Sequence, residues 1–421
     1  MAKRPLEGIR VLEHGEALAG PFASAMLSDG GAQCIKVESI QRPRGPVNPI
    51  PGSPGYANGA VGPRPWEMNG SGNHVNRGKL GITIDLSRSK GVALYKRLVA
   101  VTDVVLENFS AGTMERLGLA YEELIKIKPD LIMISMSGFG AAGPYRGYAS
   151  YGFTVDGMSG QTALRGYAEE DPSQAGPSVQ ADTVNASNAI FAVMAALIHR
   201  RRTGRGQHID LSQAEGFIPH LAGSFMDYSM NKRNAVRLGN RHQSAAPHGA
   251  YRCRGEDSWV AIAVTCDEEW HGFCRAIGDQ EWRLDPRFAD GLGRLQHQDE
   301  LDTLISEWTS KRDHYEVMHI LQKEGVPAVP FLKEGEAYSD PHLEARGFFE
   351  EHTHPQAGTH RYPGPIWKFS KTPITIQRVA PGLGEHNEYV FGEIVGISKE
   401  EMTELEEEQY IGTNYLPGVV Y

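Results

Sequence analysis

Cysteine is scarce in this chain. The 421 residues include four cysteines, Cys34, Cys253, Cys266 and Cys274, and no C-x-x-C pair. Thiols this few and scattered exclude a disulfide framework, and without pairs a zinc ribbon or a dithiol redox motif has no ligands. Positive charge is also in deficit, with 42 Lys+Arg against 52 Asp+Glu and a formal net charge of −10. That balance argues against a protein that coats nucleic acid or an anionic membrane, because both are held by broad basic faces. Long hydrophobic runs are missing too. Met1 to Pro5 leads into Gly8-Ile9-Arg10-Val11-Leu12 without a secretory apolar region, and the most apolar helical stretch, Ala186 to His199, reads as too short to span a bilayer. The expectation is a soluble, cytoplasmic protein with no nucleic-acid and no membrane partner. G-x-S-x-G, Walker A and H-E-x-x-H do not occur, which removes the serine-elbow, P-loop and zincin chemistries.

What the chain has in excess is glycine. There are 48 in 421 residues, about 11% against the usual 7% or so. They follow no three-residue period, so collagen is excluded and many tight turns are expected. The length allows two or three domains. Over the first 150 residues short β-rich runs alternate with helical segments. Strands are expected at Ile9 to Leu12, Cys34 to Glu38, Leu80 to Leu86, Val104 to Glu107 and Leu131 to Met136. Helices are expected at Pro21 to Leu27, Ser89 to Ala100 and Tyr121 to Ile127, with a Gly/Pro/Asn-rich loop from Arg42 to Gly72. This alternation predicts an α/β fold with a parallel, doubly wound sheet. A helix Ala186 to Arg202 and a strand Gln207 to Leu211 follow. After about residue 220 the pattern becomes a smaller α+β domain, with two strands in Tyr251 to Val264 and helices at Trp270 to Ile277 and Glu300 to Thr309. Gly325 to Pro330 reads as a linker, since two prolines do not suit helix or central strand. The expected division is 1–220, 221–330 and 331–421.

Three segments carry candidate chemistry. Gly138 to Gly143 matches G-x-G-x-x-G after a strand, but Pro144-Tyr145-Arg146-Gly147-Tyr148 follows where a helix should open, so the dinucleotide context fails. Asn76-Arg77-Gly78-Lys79 places two cations just before a strand, and Arg42 and Arg44 add two more in the preceding loop. They address a phosphate or form a solvated charged turn. Glu107-Asn108-Phe109 ends a strand, and Met114-Glu115-Arg116 lies just beyond. Ligands of open α/β sheets sit outside the carboxyl ends of strands, so Asn108, Phe109 and Arg116 suit a phosphorylated, adenine-bearing ligand. Asp182 stands at or just before the start of a helix. It reads either as an N-cap or as a carboxylate nucleophile kept ionised by the helix N-terminus. His352, His354 and His360 lie in a Pro/Gly-rich region and read as surface histidines rather than metal ligands.

Together these pieces resemble the class III CoA-transferases, the family of formyl-CoA transferase and crotonobetaine–carnitine CoA-transferase. The resemblance runs through Leu18-Ala19-Gly20-Pro21-Phe22, Ile35-Lys36-Val37-Glu38, Asn76-Arg77-Gly78-Lys79, Glu107-Asn108-Phe109 and Ser137-Gly138-Phe139-Gly140. It continues through Ala181-Asp182, Thr203-Gly204-Arg205-Gly206-Gln207, Gly325-Val326-Pro327-Ala328 and Asp340-Pro341-His342. It implies a Rossmann-like large domain built from both chain ends, a small domain between them, and an interlocked dimer, either of like chains or with a related subunit. It implies coenzyme A or acyl-CoA and a small carboxylic acid as substrates, with no metal. Asp182 becomes the nucleophile, passing through a mixed anhydride and an aspartyl-CoA thioester. The CoA contacts fall on Arg42 or Arg44, Asn76, Arg77, Lys79, Asn108, Phe109, Met114 and Arg116.

Leu18, Tyr151, His242, Gln243 and His248 are the candidate substrate residues. Leu18 stands where the formyl-CoA branch has Gln, and Arg241 to His248 stand where that branch has a glycine-rich loop. A formyl/oxalate activity is therefore not expected, and the bulkier His/Gln loop fits a larger acid or a dicarboxylate. Racemases of the same fold carry His where this chain has Tyr151, and a phenol with a pKa near 10 is a poor base at neutral pH. A transferase is preferred. An α-methylacyl-CoA racemase and a non-catalytic CoA-binding subunit are the alternatives.

Overall fold

The computed structural model describes residues 3–43, 55–59, 62–176, 178–278 and 281–419, so Arg44 lies outside the described residues. Its first half alternates β1 Arg10–His14, α1 Ala19–Asp29, β2 Gln33–Glu38, α2 Gly70–Val75, β3 Leu80–Thr83 and α3 Ser89–Ala100. Then come β4 Val104–Glu107, α4 Thr113–Arg116, α5 Tyr121–Leu124, β5 Ile132–Ser135, α6 Gly152–Met158 and α7 Gln161–Leu164. α8 Gln180–Thr203, β6 Gln207–Asp210 and α9 Gln213–Phe217 complete this part. The strands pair in the order β3-β2-β1-β4-β5-β6, every neighbour parallel. A parallel sheet covered on both faces calls for continuous apolar runs rather than alternation, and β3, β4 and β5 are buried along their whole length. On one face α3 inserts Leu94, Tyr95, Leu98 and Val99, spaced to share one side of a helix. On the other face α1 and α8 insert Ala19, Ala23, Met26, Leu27, Ala186, Ala189, Val193 and Ala196. Burial of each larger apolar side chain among these contributes about 1.5–3 kcal/mol.

The chain divides into two compact units. The first comprises Met1–Gly160, Pro177–Ala222 and Glu344–Tyr421, and the second Gln161–Gly176 and Gly223–Leu343. In the first unit the C-terminal part returns to the edge strand β3. The Thr83 N–H donates to Asn387 Oδ1 at 2.9 Å, the Thr83 hydroxyl to the Gly412 carbonyl at 2.7 Å, and the His386 N–H to the Gly81 carbonyl at 2.9 Å. In the second unit β7 His248–Arg252, β8 Trp259–Ala263 and β9 Ala328–Pro330 form an antiparallel sheet over a core that includes Trp270, Phe273, Phe288, Leu301, Ile305, Val317 and Leu321.

Three expectations are corrected. Gly325 to Pro330 is not merely a linker, because its last residues form β9, with Pro330 opposite Val260. β9 is the edge of its sheet, where a missing N–H leaves no bond unmade. Residues 161–176 leave the continuous 1–220 block and join the second unit. There the Tyr167 carbonyl accepts from Arg237 Nε at 3.1 Å, and the Tyr167 hydroxyl from Asn240 Nδ2 at 2.7 Å. Finally, α8 begins at Gln180, six residues earlier than Ala186, and with 24 residues it is long and apolar enough by length and composition to cross a membrane. Its inner face is committed to the core of the first unit through Ala186, Ala189, Val193 and Ala196.

Candidate active site

The strand order reverses direction between β1 and β4, the position at which open α/β sheets leave a crevice beyond their strand ends. A cleft of about 640 Å³ opens there, lined by His14, Lys36, Arg42, Asn76, Phe109 and Arg116 among others. Its floor begins with β1. Gly15 follows that strand, and a Cβ on it would stand 2.7 Å from Glu13 Oε1 and 2.9 Å from Asn108 Oδ1. The backbone therefore passes where a side chain would not fit. Asn108 uses its amide on this turn, accepting the Glu16 N–H at 2.8 Å and donating to the Glu16 carbonyl at 2.9 Å. It shapes the crevice by holding the β1–α1 connection. Phe109 meets the ring of His14 edge-on, centroids 4.6 Å apart. Burial holds His14 down at about pKa 3, so the imidazole is neutral, and its enclosed Nδ1 has no hydrogen-bond partner among the described residues.

The cations expected on a phosphate divide into two groups. Arg42 and Arg116 are exposed at the cleft, Arg42 beside Glu16 and Arg116 donating to Thr113 Oγ1 at 2.8 Å. Arg77 and Lys79 instead turn inward and are fully enclosed. Arg77 forms a two-point pair with Asp29 at 2.6 and 3.3 Å. Lys79 Nζ donates to Glu13 Oε2 at 3.1 Å, to the Pro21 carbonyl at 2.9 Å and to Asn76 Oδ1 at 3.0 Å. Lys36 Nζ reaches the same Glu13 carboxylate at 3.5 Å and donates to the Gly15 carbonyl at 3.0 Å. Two ammonium groups thus share one carboxylate beneath the cleft. Burial raises the pKa of Glu13, but Lys36 and Lys79 outweigh it and hold the carboxyl below its ordinary value. Burial also takes Lys79 down to about 8 against the pull of Glu13. Met114 is part of the apolar core rather than the cleft wall.

Neither Lys36, quoted above only within Ile35-Lys36-Val37-Glu38, nor Glu13 is among the site residues expected from the sequence. A signal was present, because each directly follows an apolar residue in the middle of a strand, and charges at such positions are rarely buried unless paired. The sheet register places Glu13 opposite Lys36.

Asp182 lies outside the lining of that cleft, in the first turn of α8. It is the third residue of the helix and not its cap. The cap bonds come from Asp156 on α6, whose carboxylate accepts the N–H groups of Gln180 and Ala181 at 3.3 and 2.9 Å. The Asp182 carboxylate is half-buried and carries no hydrogen bond or ion pair among the described residues. Burial, followed by the charge of Asp156, raises its pKa to about 6. The expected depression by the helix N-terminus is overturned, since the N–H groups at that end already serve Asp156 and burial is the larger effect. Space for the carboxylate is kept by Gly152, where a Cβ would stand 2.1 Å from Asp182 Oδ2.

The remaining candidates are spread over both units. In the first, Leu18 is half-buried at the start of α1, and Tyr151 precedes α6 with its side chain 70% exposed. In the second, His242 and His248 face each other with ring centroids 5.4 Å apart, while Gln243 is exposed. His248 Nδ1 lies 2.7 Å from the Asn240 carbonyl, and His242 Nδ1 accepts the Ser244 N–H at 3.2 Å.

A family model described as CoA-transferase family III matches residues 6–387. The succinyl-CoA–D-citramalate CoA-transferase of Chloroflexus aurantiacus is 35% identical over 410 residues, 97% of this chain and 98% of that protein. The succinate–glutarate CoA-transferase of Agrobacterium fabrum is 36% identical over 401 residues, 94% of this chain and 97% of that one. Among solved structures, a CAIB/BAIF family protein from Brucella suis superimposes with a TM-score of 0.79 at 32% identity, covering 93% of this chain and 99% of that one.

Proposed function

The chain belongs to CoA-transferase family III, and from that premise we propose that it moves CoA from an acyl-CoA donor to a free carboxylic acid, with Asp182 as nucleophile. One observation carries the assignment of the nucleophile. Asp182 is an unpaired, half-buried carboxylate with nothing but hydrogen on the facing residue, Gly152. A carboxylate without hydrogen-bond donors or cations is less stabilised than one in water and correspondingly more nucleophilic, and one covalent intermediate divides the exchange into easier steps. Asp182 Oδ attacks the thioester carbonyl. The C–S bond breaks, CoA thiolate leaves and a mixed anhydride forms. Thiolate then attacks the aspartyl carbonyl, releasing the donor acid and leaving an aspartyl-CoA thioester. The acceptor carboxylate repeats both steps in reverse.

CoA is read into the cleft at the β1/β4 crevice. Arg42 and Arg116 meet its phosphates, and Phe109 with neutral His14 meets its base. Asn76, Arg77 and Lys79 contribute from below, leaving one net positive charge in the Glu13–Lys36–Lys79 group. A compact polyphosphate is thereby attracted to a protein of net charge −10. The names of the two relatives, one pairing succinyl-CoA with D-citramalate and the other succinate with glutarate, favour dicarboxylates as the acids exchanged. The racemase alternative finds no proton acceptor at Tyr151. For quaternary structure we infer an interlocked dimer, which would cover apolar side chains of α8 such as Phe191, 78% exposed.

The test is to incubate the protein with succinyl-CoA, quench with hydroxylamine or borohydride, and locate the modification by mass spectrometry. A label on Asp182 that disappears in Asp182→Ala supports the proposal. Exchange of the α-proton with solvent and no adduct would replace it by racemisation.

A further inference from the structure

Asp156 has no part in the chemistry described so far, yet it is the charged group most closely tied to the nucleophile. Its side chain is completely enclosed. Both carboxylate oxygens are engaged, Oδ2 by the Gln180 N–H at 3.3 Å and Oδ1 by the Ala181 N–H at 2.9 Å. Those two residues immediately precede Asp182 in the chain. Gly152 and Asp156 are four apart on α6 and so share a face. Gly152 makes room for the Asp182 carboxylate, and Asp156 anchors the turn that bears it.

Among the described residues no cation is paired with Asp156 or with Asp182. α1, which packs on α8, has Asp29 as its one ionisable side chain, and that is paired with Arg77. α9 offers Glu215, which is exposed, and the start of α6 offers Tyr151, also exposed. Within α8 the next ionisable residue is His199, more than four turns away. The raised pKa of Asp182 agrees with this arrangement, having burial and Asp156 as its causes.

We infer that Asp156 is a positioning residue that holds Asp182 in place and, by keeping a negative charge beside it, favours the uncharged acylated states of Asp182 over the free carboxylate. The inference rests on Asp182 being the nucleophile. In the first step a lone pair of Asp182 forms the new C–O bond, and the electron pair of the C–S bond leaves on the CoA sulfur. The negative charge thus moves away from Asp156. In the mixed anhydride and in the aspartyl-CoA thioester alike, position 182 is neutral and the repulsion is relieved.

The experiment compares wild type with Asp156→Asn, which keeps the shape and one acceptor for the Ala181 N–H but removes the charge. Turnover is measured from pH 4.5 to 8 in the full-length protein, alongside the fraction of enzyme trapped as the aspartyl-CoA adduct at equilibrium with succinyl-CoA. Loss of a like charge lowers the pKa of Asp182, so the acid limb should move down by about one pH unit. The ratio of trapped to free enzyme should fall about tenfold, the equivalent of that unit. Unchanged limb and adduct in a folded Asp156→Asn protein that still binds acyl-CoA would overturn the inference. If that variant does not fold, wild type labelled with carboxyl-13C aspartate is titrated by NMR, using Asp182→Asn for assignment. A midpoint for Asp182 at or below 4 then tells against the inference. A wild type that forms no adduct at Asp182 sinks the reading of the nucleophile instead, which the same titration separates from the charge pairing.

Discussion

A methyl group on Gly152 would stand 2.1 Å from Oδ2 of Asp182. Relief has to come from the carboxylate, because Gly152 belongs to a helix anchored through Asp156. Gly152→Ala is expected to rotate or shift Asp182 and lower kcat on the order of 100-fold, the usual cost of an ångström-scale misplacement. Binding of CoA, measured by calorimetry, should change little. Equal losses in kcat and in CoA affinity would place the damage elsewhere.

Asp182 also ties stability to pH. Its folded pKa of about 6 lies above the ordinary 3.8, so the folded state binds this proton more tightly than the unfolded one. The folded state gains stability as pH falls through about 6, and above that it carries the cost of an ionised, half-buried carboxylate. Asp182→Asn removes that cost. It should be more stable than wild type by roughly 1–3 kcal/mol at pH 8, with the gap closing towards pH 4. Urea denaturation at the two pH values measures it, and a gap independent of pH would be the contrary result. Turnover of the wild type should decline below about pH 6 as the nucleophile is protonated.

The group beneath the cleft behaves differently. Glu13→Gln leaves Lys36 and Lys79 enclosed without their shared carboxylate, and breaking a buried pair in this way costs about 3–5 kcal/mol. Chemical denaturation should show a loss of that size. A change below about 1 kcal/mol would mean that water reaches the pair.

Arg116 and Phe109 face the cleft from outside the strand ends. Arg116→Ala should leave stability within about 0.5 kcal/mol while raising KM for acyl-CoA about tenfold, the equivalent of one charge-assisted hydrogen bond. Phe109→Ala should act in the same direction. Steady-state kinetics with acyl-CoA and acceptor varied separately would show whether the effect is confined to the nucleotide substrate, as the cleft assignment requires.

Much of the secondary structure was legible locally. Ser89–Ala100 and Val104–Glu107 appear where periodicity places them, because an amphipathic helix and a doubly buried strand announce themselves in their own residues. The start of α8 was misplaced by six residues, since its cap comes from Asp156, 24 positions upstream of Gln180. β9 was hidden because pairing, not local preference, makes Ala328–Pro330 a strand.

By itself the sequence determined the alternating α/β order, the cations before β3, the strand-end Asn108 and Phe109, and an aspartate at the head of a long helix. These are properties of neighbours along the chain, set by side-chain periodicity and backbone preference. Only the tertiary structure decided which charges face a ligand. Arg77 and Lys79 turn inward because Asp29 and Glu13, far away in sequence, wait beneath them. Asp182 stays unpaired among the described residues because the segment that caps its helix brings it a carboxylate and a glycine. A charge is solvated, paired or left reactive according to what folding places beside it, and that partner is chosen by packing across the chain.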